Sequence, residues 1–163
     1  MHPLEHSQDE EQYRSIFDNA PDGIFQTSPE GRYLRVNEAL ARIYGYDSAA
    51  VLMSAQPNLS KRLYAQASRR QEFVDLMAKQ AVIQDFESEI YRRDGNIIWI
   101  SETCRAVRNE MGKVLYYEGF VRDISDRKQA EAKRQQAEQA LLNKQQELME
   151  TLEQLQKAKQ AAE

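Results

Sequence analysis

Apolar residues recur along the chain in two rhythms, and the switches between them mark the elements. Tyr13, Ile16 and Phe17 fall at helical spacing and predict a short helix from about Gln8 to Asn19, with Pro21 closing it. Gly23 to Thr27 reads as a strand, and Ser28-Pro29-Glu30-Gly31 has the proline and glycine placement of a type I turn. Arg32 to Val36 returns as its partner, with Leu34 and Val36 on one face. Asn37 stands at a helix N-cap position ahead of Ala39, Leu40, Ile43 and Tyr44, and Gly45 is placed to close that helix. Asp47 or Ser48 caps a second short helix through Leu52. Met53 to Ala67 reads as a loop with one helical turn. Ser68 to Ala81 is a helix with Phe73, Leu76, Met77 and Ala81 along one side.

Strict alternation then takes over. Gln84 to Arg93 puts Phe86, Ser88 and Ile90 on one face and Asp85, Glu87, Glu89 and Tyr91 on the other. Asp94-Gly95 is a strong hairpin signal, Asn96 to Val107 runs back, and a turn near Asn109 to Gly112 leads into a last strand from Val114 to Ser125. Two strands, several helices and three strands make an antiparallel sheet whose intervening helices cover one face. The fold class is α+β.

From Asp126 to Glu163 the pattern changes once more: 38 residues hold no glycine, no proline and only one β-branched residue, Thr151. A single helix of that length spans about 57 Å, and a lone polar helix is marginal in water. Leu141, Leu148, Leu155 and Ala162 repeat every seventh residue, as in a coiled coil. One frame for the second seam position adds Gln145, Leu152 and Lys159; another adds Ala137, Lys144, Thr151 and Ala158. The dimer seam expected is Ala137, Leu141, Leu148, Leu152 and Leu155, in a parallel homodimer; the alternative is an amphipathic helix packed on its own domain. The chain therefore divides into a leader or tag remnant over 1–10, a domain over 11–125 and a coiled-coil helix over 126–163.

Composition narrows the function classes. A net charge of −4 without a basic block argues against nucleic acid as a partner. Apolar runs such as Ile97 to Ile100 are far short of a membrane span, and the first residues lack a signal-peptide core. The lone cysteine, Cys104, precludes an internal disulfide and fits a reducing, cytoplasmic compartment, where it reads as a small core hydrophobe. The only histidines, His2 and His6, lie in the leader, so no histidine-based metal site is expected. No phosphate loop, nucleophile elbow or ligand pair is present, and no catalytic residues are expected.

Several stretches taken in order carry a resemblance: Phe17 to Phe25, Val36-Asn37-Glu38-Ala39, Ile43-Tyr44-Gly45-Tyr46, Arg93-Asp94-Gly95, Trp99, and Glu118 to Ser125. Together they resemble the PAS sensory domain family over residues 11 to 125. The family usually ends on Asp-Ile-Thr; Ser125 keeps the hydroxyl and lacks the methyl. The resemblance implies a five-stranded antiparallel sheet in the order 2-1-5-4-3, with helices walling an internal cavity. It also implies an input or dimerisation module for an effector such as a histidine kinase or a cyclic-nucleotide synthase. Candidate cavity residues are Ile24, Val36, Leu40, Ile43 and Tyr44, joined by Phe73, Leu76, Trp99, Tyr117 and Gly119.

Asn37 either caps its helix or also holds it against the sheet, and capping alone accounts for it. Gly119 reads as a strand bulge or a close approach. Asp123, Ile124 and Ser125 form the signal junction; Asp123 serves either the helix dipole or a bridge to the outgoing helix. The family's light-sensing branch uses an Asn-Cys-Arg motif and its haem-binding members a histidine, and both are missing here. No cofactor is expected. A flavin stacked on Trp99 and a ligand-free adaptor are the alternatives to a ligand-sensing or signal-relaying module.

Overall fold

The computed structural model describes residues 3–56 and 63–163. Helix α1 (Pro3–Asn19) precedes the hairpin β1 (Gly23–Thr27) and β2 (Tyr33–Val36). Helices α2 (Glu38–Tyr44), α3 (Ala49–Ala55) and α4 (Ser68–Lys79) follow. The chain continues with β3 (Val82–Tyr91), β4 (Ile97–Arg108), β5 (Val114–Asp123) and α5 (Ser125–Ala162). The five strands pair antiparallel in the order β2-β1-β5-β4-β3, as expected. Two compact units result, residues 1–125 and 126–163.

In the first unit the core lies on the sheet face covered by the middle helices. Phe25, Ile83, Phe86, Ile90, Ile100, Cys104 and Val121 come from the strands; Leu40, Tyr44, Leu52, Phe73 and Met77 come from the helices. Cys104 is buried among them, as read from the sequence. The predicted caps form. Asn37 Oδ1 accepts from the Leu40 amide, Ser48 rather than Asp47 caps α3, and Gly45 closes α2 at φ 83°, a conformation that strongly favours glycine. The Ser28–Gly31 turn closes with the Gly31 amide donating to the Ser28 carbonyl at 2.9 Å.

The departures from the sequence reading have local causes. Leu34 is 51 % exposed while Tyr33 is buried, because the β1–β2 register slips one residue there: Gln26 faces Arg35, but Thr27 faces Tyr33. Such a bulge reverses the alternation that put Leu34 with Val36. A second slip between Ile83 and Phe86, with Asp85 at φ 50°, lets β3 begin at Val82 with both apolar residues on the core face. Helix α1 starts at Pro3, so part of the expected leader is helical. Of its apolar stripe only Phe17 is buried; Ile16 and Tyr13 are exposed. Helix α4 ends at Lys79, which leaves Ala81 outside it. The strand expected to reach Ser125 ends at Asp123. The loop expected over 53–67 begins as helix α3, and its central part, 57–62, lies outside the described residues.

The second unit is the remainder of one uninterrupted helix. Leu141, Leu148, Leu152 and Leu155 are all exposed along it, as are Leu142 and Met149. Polar side chains pair along the helix, Gln139 with Asn143 and Lys144 with Glu147 among them, and the Thr151 hydroxyl donates to the Glu147 carbonyl.

Candidate functional site

Between the sheet and the helices lies a cavity of about 90 Å³. Its wall is aromatic: Phe25 from β1, Tyr33 from β2, Tyr44 from α2, Phe73 from α4 and Tyr117 from β5. Tyr64, in the segment before α4, completes it and is held to the sheet by a bridge to Ile90 and by the Ala65 amide donating to the Glu89 carbonyl. Phe73 meets Phe86 edge-on, with ring centroids 5.5 Å apart, which fixes the ring at the cavity wall.

One acid belongs to this cavity. Glu102 points inward from β4 in phase with Ile100 and Cys104 and is only 5 % exposed. The Tyr64 hydroxyl donates to its Oε2 at 2.7 Å. Burial pushes the Glu102 carboxyl above the usual carboxylate range, opposed by the Tyr64 hydrogen bond and by the charges of Arg70 and Arg69. Burial likewise raises the Tyr64 phenol, with the nearby Glu102 charge adding to it. The Tyr33 and Tyr44 phenols, which pair with each other, are raised mainly by burial. The Cys104 thiol, also at the wall, is pushed up to about 12, chiefly by burial, and is not a nucleophile at neutral pH.

Of the expected cavity residues, Tyr44, Phe73 and Tyr117 line it. Val36 and Leu40 are buried in the core, and Ile43 and Leu76 pack against it, but none of the four reaches the cavity lining. Ile24 alternates with Phe25 and faces a groove on the opposite side of the sheet, beside Phe120 and Arg122. Trp99 alternates with the buried Ile100 and lies outside the core cluster, so neither the cavity nor the core takes its side chain. Gly119 is not a bulge, since its pairing with Phe25 and Cys104 is in register. A Cβ there would stand 2.0 Å from the Thr103 carbonyl oxygen, so close backbone approach explains the glycine. Glu102, Tyr64, Tyr33 and Arg70 escaped the sequence reading. The signal for Glu102 was its phase, two residues from Ile100 on one side and from Cys104 on the other.

The junction between β5 and α5 is held by hydrogen bonds to β4 and within its own turn. Trp99 donates its N–H to the Ser125 hydroxyl at 3.1 Å, and its carbonyl accepts from the Ile124 amide at 2.9 Å. Ile124 is buried, and it is the only residue between β5 and α5. Asp123 Oδ1 accepts from the Ser125 amide at 2.9 Å, satisfying a donor of the first helical turn. Asp123 thus anchors the start of α5, and the hydroxyl retained at Ser125 is in use.

Among the N-terminal elements Asn37 does more than cap. Its Oδ1 also accepts from the Ile24 amide at 2.8 Å, and its Nδ2 donates to the carbonyls of Phe17 and Asp22, each at 3.0 Å. One amide joins α1, the turn after it, β1 and α2. Among the described residues no group of three His, Cys, Asp or Glu side chains is placed to hold a metal ion. No helix among them is long and apolar enough to cross a membrane.

Comparison with known proteins agrees with this architecture. The profile of a family described as PAS domain matches residues 21–126. A probable diguanylate cyclase, DgcE, of Escherichia coli K12 is 24 % identical over 136 residues, covering 80 % of this chain and 12 % of that protein. The bacterioopsin transcriptional activator of Halobacterium salinarum is 29 % identical over 133 residues, covering 76 % and 18 %. This chain therefore spans less than a fifth of the length of either. Among solved structures, a sensory box histidine kinase/response regulator from Burkholderia thailandensis superposes with a TM-score of 0.61 at 19 % identity, covering 80 % of this chain and 97 % of that one.

Proposed function

The chain belongs to the PAS domain family, and on that premise we propose that it is a cytoplasmic sensory module that dimerises in parallel through α5. It senses a small molecule in the Tyr64–Glu102 cavity and passes the change through that helix to an effector elsewhere in a longer protein. A histidine kinase or a cyclic-nucleotide synthase suits that role, in keeping with the names of the diguanylate cyclase and the histidine kinase it is similar to. The observation carrying the reading is that one strand serves both ends. Glu102 and Trp99 lie three residues apart on β4, about 10 Å. The first is a cavity acid, and the second grips Ile124 and Ser125 with both of its backbone groups. A shift in β4 caused by an occupant of the cavity is felt at the first turn of α5.

The exposed leucines of α5 support self-association, since a seam of Leu141, Leu148, Leu152 and Leu155 gains burial only against a partner. The two competing frames, Ala137 with Lys144 and Thr151 or Gln145 with Leu152 and Lys159, supply two registers a few kcal/mol apart that a signal can exchange. Light scattering tests this directly: the reading expects a dimer at micromolar concentration that Leu148→Asp converts to monomer, and a strict monomer in the parent chain removes the mechanism. A flavin sensor has less support, because the cavity is small for an isoalloxazine ring and Trp99 lies off it. A colourless purified protein counts further against it. A ligand-free adaptor is distinguished by the ligand screen described next.

A further inference from the structure

The cavity contains two opposite charges that do not meet. Glu102 enters it from β4 and is buried, with one carboxylate oxygen held by the Tyr64 hydroxyl. Arg70 enters from α4 and remains partly exposed beside the β1–β2 turn, where a Cβ on Gly31 would stand 3.5 Å from its Nη2. Both side chains line the same space, yet neither takes part in an ion pair within 4.0 Å among the described residues. A buried carboxylate faced by one phenol is under-compensated, and removing a charge from water without a partner is costly. The guanidinium, lying 5.5 Å from the centre of the Phe73 ring, still has its in-plane donors to offer.

Resting on the sensory reading above, we propose that the cavity takes a small zwitterionic amino acid, its ammonium on Glu102 and its carboxylate on Arg70. The rings of Tyr33, Tyr44, Tyr64 and Phe73 wall the same cavity, and aromatic faces attract an ammonium group. Size sets the upper limit. A cavity of 90 Å³ holds about six water-sized atoms, which matches glycine, alanine or β-alanine and not an amino acid with a large side chain. A simple amine leaves Arg70 unanswered and adds a like charge near it. A simple carboxylate places its charge in a cavity with Glu102. Only a molecule carrying both charges completes both groups.

Isothermal titration of the whole chain at neutral pH with glycine, L-alanine and β-alanine, beside ethylamine and propionate, tests the assignment. Saturable binding of at least one zwitterion is expected, with ethylamine and propionate at least tenfold weaker. Arg70→Met and Glu102→Gln should each weaken the zwitterion at least tenfold while retaining a cooperative thermal melt. If no zwitterion binds, if a singly charged analogue binds equally well, or if both folded variants bind like the parent, the assignment is wrong. Light scattering on the same sample separates the two proposals. A dimer that binds none of the five loses only its ligand, whereas a monomer removes the relay itself.

Discussion

Asn37 is fully buried and accepts from two amides while donating to two carbonyls. Asn37→Ala strands all four partners and should cost about 3 kcal/mol. Asn37→Asp retains the two accepted bonds, loses the donated ones and should fall between Ala and the parent in chemical denaturation. The cap was legible because its partner is three residues away. The bonds to Phe17, Asp22 and Ile24 were not, because those residues are 13 to 20 positions distant and meet Asn37 only once the sheet has formed. Glu102 hid for a different reason: a carboxylate in a strand ordinarily faces water, and nothing local announces the phenol that receives it. Its raised proton affinity has a definite sign. The folded state holds the proton more tightly than the unfolded chain, so the contribution is fully present at low pH and is lost as pH rises through the folded value. Glu102→Gln should therefore gain stability relative to the parent as pH rises above the ordinary carboxylate range, measured as the difference between their urea unfolding free energies. A gap that does not change with pH would contradict the burial argument.

At the scale of elements, the order of strands and helices, most caps and every hairpin turn followed from periodicity and turn chemistry. Within the strands, what periodicity misplaced were residues next to register slips. Leu34 and the start of β3 both sit where one extra residue reverses the phase, and an alternation rule has no means of counting a bulge before its partner strand is known. Trp99 was misplaced by its size, since a large aromatic in a strand invites a place at the cavity wall, although its position next to the buried Ile100 puts it on the other face. The junction makes a sharper prediction. Ser125 ties the first turn of α5 to β4 through its hydroxyl, so Ser125→Ala should free the Trp99 amide and speed its hydrogen exchange, with a loss of about 1 kcal/mol. Ser125→Thr keeps the hydroxyl and should leave exchange at Trp99 unchanged. Equal protection in all three proteins would mean that the hydroxyl is not what holds the helix start.

For the whole molecule, a sensory unit of the PAS family and a long exposed-leucine helix are joined through a single buried residue, Ile124. The heptad leucines were visible in the sequence, but the choice between the two seam frames was not, because Lys144, Gln145 and Thr151 favour neither packing. The central claim is that a sheet core passes directly into a self-associating helix whose two copies run side by side. Spin labels on Lys133→Cys and Lys157→Cys, placed one per protein, test it most directly, since the native Cys104 is buried and labels poorly. A parallel pair with axes about 10 Å apart should give a short label-to-label distance at both positions. No dipolar coupling at either position, or long distances at both, would contradict the account.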